Sequence, residues 1–166
     1  KNYNMFVGGI DMLWGGVFER FPRLKAMVVE GGTMFMVPSW LMLLDHNYTD
    51  IQFSAKLGDF RSHLSMAPSE YFARNCGIGA SCVPRRDLDL RDQIGMKQIM
   101  WGSDFPHPEG TWPNTAQYYQ DTFKGFDIDA GRQILGGNAI EFYGLDRQYL
   151  DGLAAKIGPS SSIFNS

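Results

Sequence analysis

The chain has 166 residues and a formal net charge of −3, with 44% hydrophobic and 20% charged residues, a balance that suits a soluble globular chain able to bury a core. A mildly acidic chain whose longest basic cluster is Arg85-Arg86 is not expected to bind nucleic acid. The most apolar stretch, Met34 to Leu44, is broken by Pro38 and Ser39 and falls far short of the roughly 20 residues of a membrane span.

In chain order, the apolar residues from Asn4 to Phe21 recur at three- and four-residue spacings, which predicts an amphipathic helix ended by Pro22. Ala26 to Val29 reads as a short buried strand that stops at Glu30 and the pair Gly31-Gly32. A helix with Pro38 in its first turn follows, running through Trp40 and Leu44. Ser69 is expected to cap a short helical turn. A second strand, Asn75 to Ser81, places Cys76, Ile78 and Ala80 on one face and only Asn75, Gly77, Gly79 and Ser81 on the other. So small a face leaves room for something else.

Asp87 to Gly95 reads as a helix closed by glycine. The third strand is "KQIMWGSD", residues 97–104. A helix from Asn114 to Lys124 is capped by Asn114 or Thr115, another starts at Asp127 and ends near Gly136-Gly137, and "NAIEFYGL" adds a turn or two. From Ser160 the tail has little to anchor it. Short apolar strands alternating with helices predict a parallel sheet covered on both faces, the α/β class, with no evident internal domain boundary. The two cysteines, Cys76 and Cys82, make neither a disulfide framework nor a trusted zinc spacing. A reducing, cytoplasmic setting is expected.

Each strand ends in something polar or small: Glu30-Gly31-Gly32, then Ser81, then Ser103-Asp104. Ligands of parallel α/β folds bind at the carboxyl ends of the strands. Two acids leaving two strands there would meet in one pocket, the arrangement that hard metal ions and acid-base chemistry require. Against this stands the commoner role of such acids as turn formers, helix caps or ion-pair partners. His107 lies in the loop after Asp104 and is a candidate substrate contact. Trp101 reads as a packing residue, and Trp112 as packing or a wall of the pocket. His46 and His63 receive no role. The glycine pairs lack the GxGxxG context of a dinucleotide site.

The strings "GVFERFPRLKAMVVEGG", "PSEYFARN", "IMWGSDFPHPEGTWPN" and "ILGGNAIEFYGL" occur in order between residues 14 and about 146. Together they resemble the C-terminal half of an amidohydrolase-related protein, in the branch that contains aminocarboxymuconate-semialdehyde decarboxylase. The resemblance implies a metal-dependent (β/α)8 barrel, of which residues 1–146 would supply strands six to eight and residues 147–166 a partly disordered C-terminal extension. It implies Asp104 as the last-strand aspartate that binds the metal or its activated water, in a catalytic role.

The family's sixth strand usually ends in a histidine ligand within an "HGG"-like sequence; here Glu30 stands in that place. A carboxylate there shifts preference towards harder cations such as manganese or magnesium, and the resemblance implies a divalent ion, zinc or manganese. The family's first-strand His-x-His or Glu-x-His pair and its fifth-strand histidine would lie upstream, since a closed barrel of this type takes about 250 residues. The implied activity is hydrolysis or nonoxidative decarboxylation of a small carboxylated or cyclic substrate by a homo-oligomer, with these residues alone inactive. The alternative is a truncated or degenerate barrel serving as a non-catalytic partner subunit.

Overall fold

The computed structural model of the chain describes residues 2–29, 34–50 and 58–165. Where the sequence shows no internal boundary, the structure forms two compact units. One is built from Lys1–Val28 and Phe35–Gly77, the other from Val29–Met34 and Ile78–Ser166.

In the first unit the expected helix over residues 4–21 is two helices, Asn2–Trp14 and Val17–Arg20. The break falls at Gly15-Gly16, where Gly16 takes φ 67, a left-handed conformation that glycine adopts without steric cost. A β-carbon there would also stand 2.9 Å from the His63 ring. Strand β1 is Ala26–Val28, one residue shorter than expected. The helix Val37–Thr49 has Pro38 in its first turn, as the sequence predicts, and buries Val37, Leu41 and Leu44.

Ser69 is not the cap of the next helix, Pro68–Asn75. Proline takes the first position, where its missing N–H costs nothing, and Ser69 lies inside the turn with its N–H donating to Asp45 Oδ1 at 2.9 Å. The free Ala67 N–H is instead met by Glu70 Oε2 at 2.7 Å. Asn75, fully buried, donates from its amide to the carbonyls of Pro22 (3.0 Å) and Leu24 (2.7 Å). Glu19 accepts from the Tyr71 hydroxyl and, at 2.8 Å, from the Ser65 hydroxyl, and these donors hold its carboxyl below the usual range. His63 rests on the Trp14 carbonyl at 2.7 Å, a structural contact.

Strand β2 is Cys76–Ser81 and β3 is Ile99–Gly102, within a sheet ordered β1-β2-β3. β2 and β3 run parallel with Ile78, Gly79, Ala80 and Ser81 opposite Ile99, Met100, Trp101 and Gly102. Residues in register share a face, so Ile78, Ala80, Ile99 and Trp101 lie together. That face is the helix-covered one: Trp101 stacks on Tyr119 of the helix Thr115–Phe123 at 4.7 Å between ring centroids. The opposite face carries Gly79, Ser81, Met100 and Gly102. Among the described residues a β-carbon on Gly102 would meet Ser81 Oγ at 3.7 Å, which places both on that side, where Met100 is buried.

The expected helix from Asp87 to Gly95 is two single turns, Arg85–Leu88 and Arg91–Ile94, ended by Gly95 at φ 104. Asn114 stands at the N-cap position of Thr115–Phe123 without a side-chain cap bond, and Thr115 is the first helical residue. Asp127 does cap, accepting from the Ala130 N–H at 2.7 Å. That helix does not end at Gly136-Gly137. It passes through a π-helical stretch, Gln133–Gly137, into Asn138–Tyr143. Asn138 then ties this run to the start of β3, donating to the carbonyls of Met96 and Ile99, both at 2.8 Å.

The tail is anchored where the sequence promised little. After the helix Arg147–Ile157, the turn Ser161–Phe164 buries Ile163 and sets the Phe164 ring 6.0 Å from that of Phe123. The Gly125 N–H donates to the Phe164 carbonyl at 2.9 Å. Two apolar side chains inside a serine-rich tail supply the anchor. Both cysteines are free, as expected.

Candidate active site

Strand β3 delivers its chain to Ser103-Asp104 after an apolar stretch in which Ile99 and Met100 are buried. Asp104 has φ 58 and ends the extended run. Aspartate enters the left-handed region more readily than most residues, but the conformation still costs about 1 kcal/mol or more and persists only where neighbours fix it. Cys82, one residue beyond β2, shares this property with φ 51. These two are the non-glycine residues at positive φ among the described residues, and they sit at the carboxyl ends of two adjacent parallel strands. Strain of this kind concentrates at functional sites.

The neighbours that fix Asp104 belong to the loop it opens. Its carbonyl accepts from the His107 N–H at 2.7 Å, and the Ser103 carbonyl accepts from the Thr111 N–H at 2.9 Å. Gly110 sits inside this loop, where a β-carbon would stand 2.8, 2.9 and 3.0 Å from the carbonyl oxygens of Ser103, Asp104 and His107. Only glycine fits. The loop also contains cis bonds at Phe105-Pro106 and Trp112-Pro113.

The Asp104 carboxylate is one-third exposed, and its side-chain partner is His107, whose Nδ1 lies 3.5 Å from Oδ2. That nitrogen also accepts the Glu109 N–H at 3.3 Å. Nδ1 is thus shared between the Glu109 N–H and a long contact to Asp104 Oδ2. Among the described residues, Oδ1 of the carboxylate accepts no hydrogen bond. Its charge is felt at β2: the Cys82 thiol is raised above its ordinary value by burial and then by Asp104. Cys82 Sγ reaches the Glu109 carbonyl at 3.7 Å.

Asp104 and His107 are thus brought together, and Trp112 lies on the same loop. Trp112 is not a packing residue: it is 69% exposed and meets Phe105, itself 64% exposed, edge to face at 6.1 Å. Trp101 does pack, against Tyr119. Glu30 lies outside the described residues. Sequence reasoning missed Cys82, Gly110 and Thr111. Gly110-Thr111, closing a run that holds Pro106 and Pro108, was the available signal for a constrained loop.

As a donor, Asp104 suits a divalent cation: two hard oxygens, accessible and unneutralised by lysine or arginine among the described residues. Those residues do not, however, bring three or more His, Cys, Asp or Glu side chains together as a complete ligand set. Nor does any helix among them have the length and apolarity to cross a membrane.

Residues 9–145 match the family model described as Amidohydrolase. The chain is 29% identical over 137 residues to 2-amino-3-carboxymuconate-6-semialdehyde decarboxylase of Dictyostelium discoideum, covering 82% of this chain and 35% of that protein. Among solved structures it resembles 5-carboxyvanillate decarboxylase of Sphingomonas paucimobilis, with TM-score 0.65 and 28% identity over 81% of this chain and 38% of that one. An amidohydrolase of Mycobacterium avium subsp. paratuberculosis K-10 follows at TM-score 0.63 and 26% identity, over 81% of this chain and 32% of that one. A dihydroxybenzoic acid decarboxylase of Polaromonas sp. JS666, solved with manganese and 2-nitroresorcinol, shares the fold at TM-score 0.62 and 20% identity, over 86% of this chain and 40% of that one. The chain spans about a third of the length of these proteins. The fold is α/β, three strands of a TIM barrel with their helices. With residues 9–145, most of its length, matched, the chain belongs to the amidohydrolase family.

Proposed function

We propose that this chain is part of a metal-dependent carboxy-lyase that removes carbon dioxide from a small carboxylated, ring-bearing substrate. The observation that carries the reading is the Asp104 carboxylate, held at the carboxyl end of β3 by its own loop and left open to ligands. Support comes from the relatives at 29% and 28% identity, both decarboxylases. Hydrolysis on the same scaffold is the second reading, supported by the family match itself.

In this proposal Asp104 holds a divalent ion, zinc or manganese, together with Glu30 and with ligands from elsewhere in the complete protein. Such an ion supplies Lewis-acid polarisation and a bound water whose pKa falls to about 7. Asp104 also serves as the proton acceptor beside that ion, since among the described residues its carboxylate has only the long His107 contact. His107, 3.5 Å away and more than half exposed, orients the substrate or its carboxylate through Nε2. Phe105 and Trp112 offer an edge-to-face pair of exposed rings against which a flat substrate stacks. On the same side of β2 and β3 the small residues Gly79, Ser81 and Gly102 would leave the substrate room. The location proposed is cytoplasmic and the complete protein a homo-oligomer.

The deciding experiment is metal analysis of the complete protein with and without Asp104→Asn, paired with carbon dioxide release from hydroxylated and carboxylated benzoates. Stoichiometric metal and release that both fall in the variant support the reading. A protein that purifies without metal, binds none and releases nothing is instead a partner subunit.

A further inference from the structure

Thr111 is 1% exposed, although threonine hydroxyls are seldom buried without a task. It makes two contacts with one atom: its N–H donates to the Ser103 carbonyl at 2.9 Å, and its hydroxyl oxygen lies 3.4 Å from the same carbonyl. The hydroxyl is also 3.0 Å from Thr115 Oγ1. A hydroxyl has one proton and a carbonyl has none. Both side-chain contacts are satisfied together only if Thr115 donates to Thr111 and Thr111 donates to Ser103. The result is a directed relay from the first residue of the helix Thr115–Phe123 to the peptide unit that immediately precedes Asp104. That peptide, with the carbonyls packed around Gly110, sets φ at Asp104.

We propose that Thr111 is a positioning residue: its hydroxyl, oriented by Thr115, holds the Asp104 carboxylate in the one direction that serves a cation. The inference rests on Asp104 being a metal ligand. Groups that orient a ligand from behind typically contribute 10- to 100-fold in metal affinity. Here the orienting bond goes to backbone rather than to the carboxylate, so the lower end of that range applies.

The test is manganese(II) affinity of the complete protein, read from the free-ion magnetic resonance signal well below the melting temperature. Thr111→Val keeps shape and the backbone N–H but removes the hydroxyl, and should weaken binding by about tenfold. Thr111→Ser, which restores the hydroxyl on a smaller side chain, should recover most of the affinity even though it recovers less of the stability. Thr115→Val, at the half-buried end of the relay, should weaken binding in the same direction and serves if Thr111→Val does not fold. Wild-type affinity in the valine variants while Asp104→Asn has lost binding overturns the relay and leaves the metal reading standing. Wild-type affinity in Asp104→Asn overturns both.

Discussion

The ends of β2 and β3 make the same backbone move and put it to different use. Each chain leaves its strand through a non-glycine residue at positive φ, 51 at Cys82 and 58 at Asp104. After Cys82 the strain is met by little: a bond from its N–H to the Gly102 carbonyl at 3.2 Å and a weak thiol contact to Glu109. Around Asp104 stand three loop bonds to backbone carbonyls, a glycine that admits no side chain and a buried threonine. A strained residue held on every side is built to aim a side chain. One held loosely is tolerated. The contrast supports the proposal that puts the chemistry on β3, with Cys82 a neighbour whose thiol is raised by the aspartate's charge after burial.

The largest expected effect tests that assignment directly. In the complete protein Asp104→Asn should retain the fold and lose at least about 100-fold in turnover, because an amide neither carries the charge nor takes the proton. Near-normal turnover with full metal occupancy would reverse the contrast between the two ends. Gly110→Ala comes next. Its methyl group must displace three carbonyls, and overpacking of this kind costs about 1–3 kcal/mol, to be read as a lowered urea midpoint.

The thiols give a third test, along β2 itself. Burial pushes Cys76 up to about 12, while Cys82 is raised less and is partly exposed. In native protein at pH 8 a maleimide should label Cys82 slowly and Cys76 not at all, with two thiols counted after denaturation. The buried thiol also fixes a pH dependence. Its folded pKa lies above the unfolded value, so its contribution is intact below pH 9.0 and is lost as pH rises from there towards 12. Thermal melts across that window should flatten in Cys76→Ala. The smallest effect belongs to Cys82→Gly. Relief of left-handed strain, about 1–2 kcal/mol, is offset by the greater freedom of glycine in the unfolded chain, about 0.5–1 kcal/mol, so stability should stay within about 1 kcal/mol of the parent. A loss of several kcal/mol there would show that the β2 end is as tightly built as the β3 end.

The alternation of strand and helix was legible because each strand is a short apolar run that stops at a turn signal, as at Val29 and Gly102. So was Asp104, an acid driven to the end of such a run, and so was the small face of β2. Helix limits were misread where a glycine pair could either break or pass. Gly15-Gly16 breaks its helix because Gly16 turns left-handed, whereas Gly136-Gly137 passes because a π turn absorbs both. Ser69 looked like a cap, but Pro68 before it had already taken the first helical position. The relay behind Asp104 was out of reach because it depends on the burial of one threonine, and burial at Thr111 follows from how the loop folds back on Ser103 rather than from any local pattern. Phe164 was hidden in the same way, its role decided by Phe123, far upstream in the sequence.

The pairing of β2 with β3 separates two kinds of change that many proteins must compromise between. Ile78, Ala80, Ile99 and Trp101 face the helices; the buried Met100 faces the other way, among the small residues Gly79, Ser81 and Gly102. Among the described residues, a methyl group added at Gly102 meets nothing closer than Ser81 Oγ at 3.7 Å. Under the proposed function, changes at Gly102 would reshape the substrate's surroundings one carbon at a time while the helix-facing residues keep the sheet folded. Variation in what is bound and constancy in what holds the sheet together are assigned to alternate residues of the same two strands.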